Sequence, residues 1–155
     1  MQITQYYTLS IAQKDELLRL WNNEYPVELA HENIAALDNY LNGLSRITHY
    51  LLADEQDILH GWAWAFDRDD SRWFAIILDS SVQRKGYGSI LLNKLKESEK
   101  VLQGWVEDSN EKIKRNGETY RSPLAFYRKN GFTLCPDDRL RTDKVSAIKI
   151  KWAKE

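Results

Sequence analysis

A mixed α/β fold, a sheet with helices packed on it, is predicted by three features of the sequence. Apolar residues alternate at period two in short runs such as "LHGWAWAF" and "VSAIKIKWA". Other stretches repeat them at helical spacing, and the two patterns interleave as β-α-α-β-β-β-α-β-α-β-β. No repeat, low-complexity block or linker interrupts the 155 residues, so a single domain over 1–155 is expected.

The elements follow in order. "ITQYYTL" is rich in β-formers and reads as a first strand. Ser10 with Gln13 three residues on forms a capping box, and Leu17, Leu20 and Trp21 continue at helical spacing until Pro26. A second helix carries Ile34, Leu37, Leu41 and Leu44 on one face, with Gly43 near its end. "ITHYLLAD", "LHGWAWAF" and "RWFAIIL" are three strands, joined by turns at "EQD" and "DRDDS". In the second of these, bulky Trp62, Trp64 and Phe66 alternate with Gly61, Ala63 and Ala65. The nearly continuous apolar "RWFAIIL" suits a central strand covered on both faces. "GSILLNKL" is a helix with Leu91, Leu92 and Leu95 inward, and "VLQGWV" is a strand. "SPLAFYRKNGF" has Ser122 as N-cap, Pro123 at the first helical position and Gly131 past the last turn. A strand opening at Phe132 and "VSAIKIKWA" complete the series.

Composition narrows the function. A net charge of −1 lacks the basic face of a nucleic-acid binder, and the short basic cluster in "EKIKRNG" reads as a solvated loop. Cys135 is the only cysteine; beside Phe132 and Leu134 it reads as a small core residue, in keeping with a reducing cytoplasm. "MQITQYYTLS" carries no signal-peptide pattern and no apolar run is of membrane-span length, so a cytoplasmic protein is expected. His31, His49 and His60 show no metal-ligand spacing, and no metal is expected.

The chemistry-bearing stretch is "DSSVQRKGYGSILLNKL". A strand that runs through a glycine-containing loop into a helix offers an anion the unpaired N–H groups of the first turn, with Arg84 and Lys85 adding charge. A tight turn alone would also explain Gly86 and Gly88. The glycines fit neither G-x-G-x-x-G, since Ile90 and Leu91 stand where the third belongs, nor a P-loop. They resemble the pyrophosphate-binding motif Q/R-x-x-G-x-G/A of the GNAT N-acetyltransferase superfamily, as Gln83, Arg84, Lys85, Gly86, Tyr87 and Gly88. About forty residues on, "LAFYRKNGF" is similar to that family's A-x-x-[FL]-Y-x-x-x-G-F, with Phe126, Tyr127, Gly131 and Phe132. The resemblance is clear from Trp73 to Phe132.

The resemblance implies a mostly antiparallel sheet with one splayed parallel pair and about four helices. It implies acetyl-CoA as cosubstrate, lying between the splayed strands, and a primary amine as acceptor: a small molecule, a peptide N-terminus or a lysine. The backbone of Ile76, Ile77 and Leu78 would hold the pantetheine arm. N–H groups from Arg84 through Ser89 would hold the pyrophosphate, with Phe126 beside them. An N–H near Leu78 would serve the developing oxyanion. Tyr127 stands at the family's general acid, acting either with a lowered pKa or as a hydrogen-bond donor to sulfur. Glu107 and Asp108 stand where several members place the base that takes the amine proton; a solvated strand end is the competing reading. Family members occur as monomers or homodimers.

The sequence departs from the family pattern at three points. Ser80 replaces a frequent Pro, and Tyr120 replaces an Asn that binds cofactor, a contact Ser122 could take over. The segment Glu107–Arg121 is longer than usual, with a turn signal at Asn116-Gly117; it either covers the acceptor site or is a surface insertion. Trp21, Glu24, Tyr25, Glu28, Trp62 and Trp64 are the residues offered to an acceptor, or to a core. A non-catalytic acyl-CoA-binding module is the alternative to an enzyme.

Overall fold

A computed structural model describes residues 1–155. The elements come in the predicted order: β1 (Gln2–Tyr6), α1 (Ile11–Glu24), α2 (Ile34–Asn42), β2 (Ser45–Ala53), β3 (Leu59–Arg68) and β4 (Ser71–Leu78), then α3 (Tyr87–Ser98), β5 (Val101–Glu107), α4 (Leu124–Lys129), β6 (Thr133–Arg141) and β7 (Ser146–Ala153). The strands form one seven-stranded sheet in the order β1-β2-β3-β4-β5-β7-β6. Every neighbouring pair is antiparallel except β4 with β5. No helix is long and apolar enough to cross a membrane.

The alternation in β3 explains the layering. Its bulky side chains, Trp62, Trp64 and Phe66, pack with Leu17, Leu20, Trp21 and Leu37 of α1 and α2. The two indoles stack at 3.9 Å between ring centroids. Its small side chains, Ala63 and Ala65, face Leu91, Leu92 and Leu95 of α3, and their size lets the helix approach the sheet. All three leucines are fully buried. At the β3–β4 hairpin, Asp69 and Asp70 both take positive φ, 51° and 57°, as a two-residue turn of the right twist requires.

The capping box of α1 is present: Ser10 Oγ accepts from Gln13 N at 3.1 Å and Gln13 Oε1 accepts from Ser10 N at 2.8 Å. Two local expectations are corrected. Helix α4 begins one residue late, at Leu124, with Pro123 in the cap position and Ser122 making no side-chain cap; the first helical bond runs from Tyr127 N to Pro123 O. Cys135 is only half-buried, because β6 is the sheet's edge and β7 alone covers it. The end of α4 is as read: Gly131 takes φ 89°, and Phe132 N donates to Tyr127 O, the C-terminal motif that fixes the helix's exit.

One buried group makes stability depend on pH. His49, 2% exposed, accepts at Nδ1 from Trp62 Nε1 at 3.0 Å. Burial first, then the Lys14 charge, lowers its pKa to about 4. The unfolded chain therefore binds a proton near pH 6.5 that the folded chain refuses until about 4. Stability is complete above that window and falls through it by as much as roughly 3 kcal/mol. Urea midpoints between pH 7 and 4 check this; in His49→Gln the slope in that window should shrink.

Candidate active site

The gap in the sheet comes from its stitching. β4 and β5 pair at one position, Trp73 opposite Gln103. That end is held by Gln103 Nε2 on Ser71 Oγ at 3.1 Å and by Arg72, 7% exposed, which donates to Glu99 and Thr48 side chains and the Arg46 carbonyl. Beyond it the strands part. Asp79 N donates to His60 O and Leu78 lies opposite Gly61, so the antiparallel alternation turns odd-numbered residues of β4 toward β3. Ile76 and Leu78 therefore present their backbone groups to the gap. Ile77 does not: its backbone belongs to the β3 ladder and its side chain is 3% exposed, which corrects its inclusion among the gap-facing residues. Gln83 Nε2 donates to Leu78 O at 2.8 Å, so the motif glutamine ties the loop to the strand end.

At the mouth of this gap lies the start of α3. Gly86 caps it with φ 89°, a conformation that suits glycine. A Cβ there would meet nothing within 4 Å, so the space over the helix end is open. Ile90 N is the first to find a helical partner, Gly86 O, leaving the N–H groups of Tyr87, Gly88 and Ser89 toward that space, with Arg84 and Lys85 exposed beside it. These groups fit a diphosphate. Gly88 has a different reason: a Cβ would stand 3.2 Å from Phe126 Cζ. Phe126 lies next to Tyr127 on α4, so Gly88→Val is expected to push α4 off α3 at a cost of about 1–3 kcal/mol. A urea midpoint reads that loss, and Phe126→Leu in the same chain should restore part of it.

Inward from the gap is a cleft of about 450 Å³, lined among others by Trp21, Tyr25, Tyr40, Trp105, Tyr120 and Tyr127. Glu107 lines it too; its Oε2 accepts from Ser146 N at 3.0 Å, leaving Oε1 available. Burial raises its pKa, only partly offset by that hydrogen bond and by Lys112. Asp108 does not line the cleft: Arg139 donates to it at 2.7 Å and Ser146 Oγ at 3.1 Å. Burial raises its pKa, but those two hydrogen bonds and the Arg139 charge prevail and lower it overall. Of the two expected bases, only Glu107 is free to take a proton.

Tyr127 is 6% exposed. Burial, and after it the Tyr120 hydroxyl, pushes its pKa well above the ordinary tyrosine value, which speaks against the first of the two alternatives, a lowered pKa, and leaves a neutral hydroxyl able to donate a hydrogen bond. Lys96 of α3 supports this helix from its far end, donating to Asn130 O at 2.5 Å. Ser122 Oγ, expected as a stand-in ligand, is buried without a partner.

The long segment after β5 folds back onto the chain that follows α1. Ile113 pairs with Thr119 across the Asn116-Gly117 turn, and Ile113 O accepts from Val27 N at 3.0 Å. Glu24 holds three parts together: its carboxylate accepts from Ser80 N at 2.9 Å and Ser80 Oγ at 2.6 Å, and lies 3.4 Å from Lys114 Nζ. The segment thereby sets Tyr120 into the cleft wall, 6.4 Å from the ring of Tyr25. Trp62 and Trp64 are wholly buried and belong to the core; Trp21, Tyr25 and Glu28 line the cleft.

Residues 46–134 match the family model described as an acetyltransferase (GNAT) domain. A search of curated protein sequences found no match. Among solved structures, an aminoglycoside 6'-N-acetyltransferase complexed with coenzyme A is similar at 15% identity and a TM-score of 0.72, covering 99% of this chain and 97% of that one. A spermidine N-acetyltransferase from Vibrio cholerae shares 16% identity at TM-score 0.66, with 99% and 95% covered. A GNAT superfamily phosphinothricin acetyltransferase from Sinorhizobium meliloti, in complex with acetyl-CoA, gives 13%, 0.66, 99% and 89%. These likenesses concern the fold; the domain match, over more than half of the chain, goes further. The splayed strands, the glycine loop and the matched domain coincide, and the chain belongs to the GNAT acetyltransferase family.

Proposed function

We propose that this chain is an N-acetyltransferase that moves the acetyl group of acetyl-CoA to a primary amine. One observation carries the reading: the sheet's gap leads from an open helix start to a cleft holding one available carboxylate, Glu107, and one neutral buried hydroxyl, Tyr127. Acetyl-CoA, when bound, supplies an acyl carbon activated as a thioester.

The chain's own groups do the rest. An alkyl amine, with a pKa near ~10, is mostly protonated at neutral pH. Glu107 Oε1 takes its proton and leaves the nitrogen lone pair free to form the C–N bond. The Leu78 N–H, turned toward the gap by the β4 register, donates to the carbonyl oxygen as it gains charge. As the C–S bond breaks, the Tyr127 O–H donates a hydrogen bond to sulfur. Nitrogen loses two protons in all: the first passes through Glu107 to solvent before attack, and the second, lost from the adduct once the C–N bond has formed, balances the one gained by the departing thiolate. Ile76 and Leu78 orient the donor's arm as a strand would, and Tyr87, Gly88 and Ser89 with Arg84 and Lys85 hold its diphosphate.

A thermal titration with acetyl-CoA tests the donor half. A hundredfold excess over Kd should stabilise the fold by about 2.7 kcal/mol, several degrees in Tm. An unmoved Tm with no heat on mixing overturns the proposal. Binding without release of CoA thiol to any of a broad set of amines leaves only the non-catalytic module.

A further inference from the structure

The walls of the cleft say what kind of amine enters. We infer that the acceptor is a compact monoamine with a flat aromatic body bearing a hydrogen-bond donor, and that polycationic amines are rejected. The inference rests on the acyl-transfer reading for its chemistry and on three features of the cleft for its content.

The first feature is shape. Trp21 lies at the centre of an aromatic wall, 4.8 Å and edge-on to Tyr25, 5.1 Å and edge-on to Tyr40, and 5.8 Å from stacked Trp64. Tyr120 and Trp105 add ring surface to the same cleft. Such walls receive another ring in offset or edge-to-face contact.

The second feature is charge. The only charged lining residues are Glu28, Glu107 and Lys144. Lys112 Nζ stands 3.5 Å from Glu28 Oε2, and Glu107 is the one lining carboxylate that forms no ion pair. It matches one ammonium. Further ammonium groups, as on a polyamine or an aminoglycoside, would be desolvated with no counter-charge.

The third feature is unmet polarity. Glu28 Oε2 and His31 Nε2 are buried with no hydrogen-bond partner, and both residues line the cleft. Lys112 is near Glu28 but not in hydrogen-bonding geometry. His31 lies 4.5 Å from Trp21, ring to ring, and burial lowers its pKa, so it stays neutral and adds no charge. A hydroxyl on the aromatic body meets an acceptor in Glu28, and buried polar groups left open favour such a donor.

Isothermal titration of the full chain with tyramine, phenethylamine, spermidine and kanamycin, alongside CoA-thiol release with each, tests this. Tyramine should exceed phenethylamine by about tenfold through the bond to a charged acceptor. Both should exceed spermidine and kanamycin by about a hundredfold or more. In Glu28→Leu, which leaves no side-chain acceptor, the ratio of tyramine to phenethylamine affinity should fall by about tenfold. Spermidine or kanamycin binding as well as tyramine overturns the inference, and so does a tyramine advantage that survives Glu28→Leu. Calorimetry keeps the two readings apart: amine preference without thiol release defeats acyl transfer alone, and thiol release with the preference reversed defeats this inference alone.

Discussion

Glu107→Gln is expected to lower kcat by about 10²–10⁴ and to leave acetyl-CoA affinity unchanged. The amide keeps an oxygen for the Ser146 N–H that now reaches Glu107 Oε2 at 3.0 Å, so the strand end should hold its shape. What it loses is the only cleft-lining carboxylate that forms no ion pair. The sign of the pH effect follows from the base being active when deprotonated. Because burial raises its pKa above the usual carboxylate value of 4.5, the acid limb of kcat/KM should lie above that value, and it should vanish in the variant. Asp108→Asn separates the neighbours: it breaks a pair with Arg139 at 2.7 Å and should cost stability before rate. A Glu107→Gln enzyme with full turnover and an unchanged acid limb removes Glu107 from the mechanism.

Tyr127→Phe should lower kcat by about 10² with little change in acetyl-CoA affinity or in stability. Its pKa is raised by burial and by Tyr120, so handing a proton to a thiolate, whose thiol has a pKa near ~8.5, would run uphill by more than roughly 2 kcal/mol. Hydrogen bonding to the departing sulfur is therefore the role proposed for it, and the basic limb of the pH profile should be the same in both enzymes. The hydroxyl has no protein partner to lose, so removing it leaves no orphaned group behind. Single-turnover rates at saturating acetyl-CoA decide the matter; an unaltered rate strikes Tyr127 from the chemistry.

Much of this was legible in the sequence because it is local. The Trp/Ala alternation of β3, the Ser10–Gln13 box and the Gly131 exit depend on residues a few positions apart, and each stands as read. The glycine loop was legible as a motif, but its two glycines differ in ways only distance reveals: Gly86 answers to its own φ, Gly88 to a phenyl ring on another helix. The site's long-range parts were not visible. Glu24 meets Ser80 and Lys114 across 56 and 90 positions, and no local pattern announces such a meeting. Tyr120 looked only like a missing Asn, and its place in the cleft wall comes from how the segment before it folds back. The choice between Glu107 and Asp108 turned on Arg139, a residue of β6 31 positions away.

The single pairing of Trp73 with Gln103 has a mechanical consequence. The sheet is in effect two plates, β1 to β4 and β5 with β7 and β6, joined along a short seam. Their opening angle sets how far Ile76 stands from Trp105 across the cleft mouth. The seam residues Ser71, Arg72, Gln103 and Glu99 hold that angle from behind. These residues lie outside the cleft lining yet bear on its width, so the shape of the cleft is built partly into the back of the sheet.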